Sequence, residues 1–133
     1  MEDNFSAANG KVLVIEDDII VGELYVNSLS DLGYEVTWAQ DGEAGLKAAL
    51  QQQYDVILLD IIMPEKDGRA ILRELRAHGD KVPNSKIIVF TNLAQDDGSR
   101  SEVEKYADDY LIKADIKPSQ LIAKIEQLLS KSA

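Results

Sequence analysis

Cysteine is absent from the 133 residues, which excludes a disulfide framework and any thiolate metal site. That absence is compatible with a cytoplasmic chain. No stretch of about 18 apolar residues occurs, so no membrane-crossing helix is expected. Positive charge is scarce: the formal net charge is −10, and the phosphates of a nucleic acid would be repelled. Neither a G-x-G-x-x-G nor a Walker pattern is present, and Gly42 and Gly45 do not make a phosphate loop. The single histidine, His78, falls near the end of an expected helix and reads as a surface residue, not a ligand or phospho-donor. Internal repeats, low-complexity tracts and interdomain linkers are also missing. The first ten residues lack the basic-then-apolar pattern of a signal peptide and read as a flexible arm. One domain is therefore expected over residues 11–130, with a tail at 131–133.

What is present is a core in pieces. Apolar residues make up 45% of the chain, and four runs stand out: Val12–Ile15, Val56–Leu59, Ile87–Phe90 and Tyr110–Ile112. Short continuous runs rich in β-branched residues suit strands buried on both faces. Tyr34–Trp38 alternates instead, which predicts a strand with one wetter face at a sheet edge. Trp38 on that strand reads as a packing residue.

Between the runs the spacing turns helical. Val21, Leu24, Tyr25, Ser28, Leu29 and Leu32 recur at three and four, and Gly33 follows where a helix ends. Asp41 can cap a helix through Leu50. A helix over 68–77 carries Ile71, Leu72 and Leu75, and Pro118 opens a last one with Leu121, Ile122, Ile125, Leu128 and Leu129. The helix expected over 97–107 is polar nearly all round, with Val103 as its main apolar anchor. Strand then helix, five times, means a parallel sheet with crossover helices on both faces.

Ligands of such sheets bind beyond the carboxyl ends of the strands. Glu16, Asp17 and Asp18 follow the first strand, Asp60 the third, Thr91 the fourth and Lys113 the fifth. Taken singly, each has an ordinary explanation: Asp18 as a helix cap, Thr91 as a good strand residue, Lys113 as a solvated charge. Together they bring several carboxylates, a hydroxyl and an ammonium to one edge. Crowded carboxylates raise each other's cost of ionising, and a hard divalent cation relieves it. Such a site brings phosphate to a carboxylate nucleophile.

These residues resemble the receiver domains of two-component response regulators, the CheY-like family. The segments that carry the resemblance are Val12–Asp18, Leu58–Gly68, Val89–Thr91 and Asp108–Lys113, in order and each at a strand end. The resemblance implies a flavodoxin-like five-stranded parallel sheet of order 2-1-3-4-5. It implies Asp60 as the phospho-acceptor and Mg²⁺ or Mn²⁺ held by Glu16, Asp17, Asp60 and the backbone carbonyl of Ile62. Thr91 and Lys113 would bind the phosphoryl group, and Tyr110 would be the switch aromatic. Ile62 and Leu93 would flank the path of hydrolytic water and set the lifetime of the phosphate. A sensor histidine kinase or phosphotransfer protein would be the donor, with a downstream protein partner on the outer face. That face also leaves dimerisation open. The chain departs from the family at Asn92, where a small residue is usual, at Ala114, where proline is usual, and at Tyr106, where glycine is usual. Without proline, a trans bond is expected after Lys113.

Two other functions compete. A phosphohydrolase using Asp60 transiently would resemble enzymes with a second Asp two residues on, and Ile62 stands there. A degenerate receiver acting as a constitutive module is opposed by the complete set of acids, Thr91 and Lys113. The expected protein is thus a switch that catalyses only its own phosphorylation and dephosphorylation.

Overall fold

The computed structural model describes residues 10–63, 67–92 and 100–132, without the side chains of 131 and 132. The arm as far as residue 9, Pro64, Glu65 and Lys66, Leu93 and the expected helix start at 97–99 lie outside the described residues.

Five strands, β1 (Gly10–Ile15), β2 (Tyr34–Ala39), β3 (Val56–Leu59), β4 (Lys86–Thr91) and β5 (Asp109–Ile112), form one sheet. Its order is β2-β1-β3-β4-β5 and every pairing is parallel. The helices are α1 (Ile19–Asp31), α2 (Gly42–Gln51), α3 (Gly68–Arg76), α4 (Arg100–Tyr106) and α5 (Pro118–Ser132). A single 3₁₀ turn, Lys113–Asp115, follows β5. The first strand begins at Gly10 and the last helix runs to Ser132. The flavodoxin-like order 2-1-3-4-5 is the one expected.

The sheet divides the core in two. Leu13, Ile15, Ile57, Leu59, Ile87 and Val89 point to the side covered by α2, α3 and α4. Val12, Val14, Val56, Leu58, Ile88 and Phe90 point to the side covered by α1 and α5. This period of two explains why β1, β3 and β4 are continuous apolar runs: both faces are buried.

Local signals place the helix ends. The Asp18 carboxylate accepts from Ile20 N and Val21 N at 3.0 and 3.2 Å, so it is the cap of α1. Asp41 accepts from Ala44 N at 2.8 Å and Asp67 from Arg69 N at 2.7 Å, capping α2 and α3. Gly33, just past α1, has φ +91°, a conformation that glycine adopts at little cost.

Two sequence expectations fail. The β5 run is only half-buried along its length, because β5 is the second sheet edge and not an interior strand. Leu24 and Leu32 are 47% and 44% exposed; the buried line of α1 runs through Gly22, Tyr25 and Leu29. Leu24 stands one position before Tyr25, a rotation of about 100° around the helix, enough to leave the sheet. Val103 is the buried residue of α4, as expected. Polar contacts hold that helix too: Arg76 donates to Tyr106 O at 2.8 Å and to Asp108 Oδ2 at 3.0 Å, and Arg73 pairs with Glu102 at 3.1 Å.

Candidate phosphoryl and cation site

At the carboxyl edge of the sheet, ligating oxygens of Glu16, Asp17 and Asp60 lie within 4.8 Å of one another. Glu16 and Asp60 are buried, with 4% and 6% exposure, and Asp17 is half-buried. The Lys113 ammonium reaches in from the 3₁₀ turn that follows β5. It donates to Asp60 Oδ2 at 3.2 Å and also to Glu16 Oε1. Its side chain is only 11% exposed, which rules out the solvated-surface reading. Glu16, Asp17, Asp18, Asp60, Ile62, Asn92 and Lys113 line an open cavity of about 200 Å³.

The backbone holds this set from several sides. Asp60 N donates to Ile15 O at 3.1 Å, continuing the ladder past the end of β3. Asp60 Oδ1 accepts from Ile62 N at 3.3 Å. Gly68 N donates to Ile61 O at 2.8 Å, and a Cβ at Gly68 would stand 2.2 Å from Asp60 O. Glycine is therefore what lets α3 start against the acceptor loop. Glu16 N donates to Ala39 O at 3.0 Å, Trp38 Nε1 donates to Glu16 O at 2.9 Å, and Asp18 N donates to Glu16 Oε2 at 3.2 Å.

Burial pushes the Glu16 carboxyl up to about 7; the hydrogen bond from Lys113 lowers it and the Asp60 charge raises it. Burial disfavours the charged form of Lys113, but its hydrogen bond to Glu16 and the negative charge of Asp60 outweigh that and hold the amine above its ordinary value. Among the described residues, one ammonium thus serves two buried carboxylates, with Asp17 beside them. Buried charge of one sign is expensive when incompletely compensated. The donor set is hard oxygen throughout, and a few carboxylates with room for water and phosphate suit Mg²⁺ or Mn²⁺. The residues fit such a cation.

The structure therefore brings Glu16, Asp17, Asp60, Ile62 and Lys113 to one cavity. Thr91 ends β4 fully buried, directly before Asn92 on the cavity wall. Tyr110 is not among the residues lining this cavity; it sits half-buried on β5 with the Arg100 guanidinium 4.4 Å from its ring centroid. No cis peptide occurs among the described residues, so the bond after Lys113 is trans, as expected. His78 is exposed. Sequence reasoning missed Trp38 as a neighbour of the site, assigning nothing to the end of β2. It also missed the contact of Gly68 with Asp60, although Gly68 closes the Leu58–Gly68 segment that carries the resemblance. A larger cleft, about 290 Å³, lies between the end of α2 and the loop before β4, with Lys81 as its one charged lining residue. It has no converging set of the kind described above.

Residues 12–126 match the family model for the response regulator receiver domain. The chain is 34% identical over 121 residues to a probable transcriptional regulatory protein, SilR of Salmonella typhimurium, covering 91% of this chain and 51% of that protein. It spans about half the length of the curated relatives it matches. The receiver domain of a Francisella response regulator superposes with TM-score 0.81 at 28% identity, covering 94% of this chain and 100% of that one. The receiver domain of a Pseudomonas aeruginosa sensor histidine kinase, with a magnesium ion coordinated in its active-site cleft, superposes with TM-score 0.79 at 31% identity, covering 92% and 99%.

Proposed function

This chain belongs to the response regulator receiver domains of two-component systems, and from that premise we propose that Asp60 accepts a phosphoryl group and thereby switches the outer face for a partner. Receiver domains of this family interact with histidine kinases and downstream effectors. The observation that carries the reading is the convergence of Glu16, Asp17 and Asp60 within 4.8 Å, with the Lys113 ammonium on Asp60.

The donor is a phosphohistidine of a sensor kinase or phosphotransfer protein. A carboxylate oxygen of Asp60 bonds to phosphorus as the P–N bond breaks. The electron pair leaves with the imidazole, which takes up a proton. Asp60 Oδ1, held by the Ile62 amide, and Oδ2, held by Lys113, keep the nucleophile oriented before the donor arrives. When bound, Mg²⁺ or Mn²⁺ would offset negative charge on the phosphoryl oxygens; Glu16, Asp17, Asp60 and the Ile62 carbonyl would hold it. Lys113 follows the transferred group and neutralises one of its oxygens. Thr91 hydrogen-bonds another, and Tyr110 on the outer face responds, carrying the change toward α4, β5 and α5. Hydrolysis later needs a water in line with phosphorus, and the family resemblance assigns Ile62 and Leu93 to setting the lifetime of the phosphate. The domain works as a cytoplasmic switch over residues 11–130, catalysing only its own phosphorylation and dephosphorylation. It binds no nucleic acid itself. Dimerisation through the outer face is left open.

The test is acid-labile labelling by acetyl phosphate, read as intact mass. Wild type should label only with Mg²⁺, and Asp60→Asn should not label. Undiminished labelling of the variant would sink the assignment.

A further inference from the structure

Trp38 is the only tryptophan of the chain, on the next-to-last position of edge strand β2. Its indole lies against α1. A Cβ at Gly22 would come within 2.2 Å of Trp38 Cζ2 and 2.5 Å of Cε2, so the helix carries glycine where the ring needs the room. Glycine inside a helix is unfavourable relative to alanine, so this seat is maintained at a cost.

From that seat Nε1 donates to Glu16 O at 2.9 Å. The neighbouring Ala39 O accepts from Glu16 N at 3.0 Å. The second of these bonds is main chain to main chain and any sequence could make it. The first exists only because residue 38 bears an indole N–H. It also falls where the chain leaves the sheet: β1 ends at Ile15, and Asp17 and Asp18 lead into α1. The carbonyl of Glu16 and the amide nitrogen of Asp17 belong to one rigid plane. Holding that oxygen therefore fixes the plane from which Asp17 projects.

We propose that Trp38 is a positioning residue for the cation site: its indole N–H anchors the Glu16–Asp17 peptide and so aims the Asp17 carboxylate at Asp60 and Glu16. The proposal rests on the reading of Glu16, Asp17 and Asp60 as a divalent-cation site. The donor is neutral and its loss leaves packing in place, so the expected effect is graded, roughly a three- to tenfold weaker affinity for Mg²⁺.

A single tryptophan permits an atomic test. Expression in a tryptophan auxotroph with β-(3-benzothienyl)alanine replaces the indole N–H by sulfur at this position alone, and Trp38→Phe is the genetic companion. Calorimetric titration with Mg²⁺ gives the affinity, and a melt in chelator gives the stability of the metal-free fold. Phosphorylation by acetyl phosphate over a range of Mg²⁺ separates affinity from maximal rate. The expected result is a three- to tenfold rise in the Mg²⁺ dissociation constant of the sulfur analogue, with most of the maximal rate regained at saturating Mg²⁺. A tryptophan that only packs would lower the melting temperature of Trp38→Phe and leave the analogue's Mg²⁺ affinity at the wild-type value, which overturns the proposal. Should Trp38→Phe fail to fold, the analogue, which keeps the ring's shape, decides alone. Asp17→Asn in the same titration keeps the two readings apart. If wild type binds Mg²⁺ and Asp17→Asn does not, a normal analogue refutes only the role of Trp38. If wild type does not bind, or Asp17→Asn binds equally well, the cation-site reading falls and the proposal with it.

Discussion

Substituting Gly68 by alanine tests how rigidly the acceptor loop is held. A Cβ there would stand 2.2 Å from Asp60 O, 2.7 Å from Ile61 Cα and 3.0 Å from Asp60 C. Real contacts of this kind stay beyond 3.0 Å, so helix and loop must part by about 0.8 Å. Neither side yields readily. The helix α3 is fastened by Ile71, Leu72 and Leu75, all essentially fully buried, and by the Asp67 cap. The loop follows β3, which is paired on both sides, and Asp60 N is itself bonded to Ile15 O. Forcing an extra methyl into a packed place costs about 1–3 kcal/mol. Alanine's helix preference returns at most about 1 kcal/mol, less in a first turn. The net expectation is a loss of about 1–2 kcal/mol. The rate should suffer more, because a displacement near 1 Å of a reacting group can cost about a hundredfold. Phosphorylation by acetyl phosphate and urea unfolding measure the two effects on one preparation. Ile71→Val is the control: it should lose about 0.5–1.5 kcal/mol and leave the labelling rate alone. A Gly68→Ala protein with wild-type rate and wild-type urea midpoint would refute the reasoning, since the contact would then be no constraint.

Lys113→Met should fold, because the methionine stem replaces much of the lysine's packing, and should label with acetyl phosphate about a hundredfold more slowly, as when one transition-state donor is removed; an unchanged rate would remove Lys113 from the transfer step. If Ile62 and Leu93 set the lifetime of the phosphate, as the family resemblance implies, dephosphorylation of the purified phospho-domain should be slow, and Ile62→Asn with Leu93→Glu should speed it by about 10- to 100-fold; equal lifetimes would show that these side chains do not set the clock. In alkali, burial holds the Tyr25 hydroxyl above its ordinary value of 10.0, while nearby Lys113 lowers it and Glu16 raises it. Its folded value exceeds its unfolded one, so the stability it contributes is complete below pH 10 and is lost as the pH rises through the folded value. Tyr25→Phe keeps the edge-to-face contact with Phe90, at 5.0 Å between centroids, and removes the titration. Its stability should fall less than that of wild type between about pH 9 and pH 12, and parallel curves would count against the assignment.

Much of the fold was legible locally because its causes are local. A run such as Val56–Leu59 is apolar at every position because both neighbouring faces are covered, and that condition is written into four consecutive side chains. Asp18, Asp41 and Gly33 mark helix ends through bonds and dihedrals spanning three or four residues. The candidate site was legible for a related reason: each of its polar groups follows a strand, and parallel strands bring all such ends to one edge whatever the loop lengths. Other features depend on which elements become neighbours. The β5 run Tyr110–Ile112 looks like an interior strand, and only the sheet order makes it an edge. Leu24 and Leu32 fit a helical stripe, yet the way α1 lies on the sheet turns them outward. The grip of Lys113 on Glu16 spans 97 positions, and the contacts of Trp38 with Glu16 and of Gly68 with Asp60 also join separate elements. Periodicity reports which face of an element is apolar; it carries no record of what lies across the gap, and that is set only when all five strands have closed on one another.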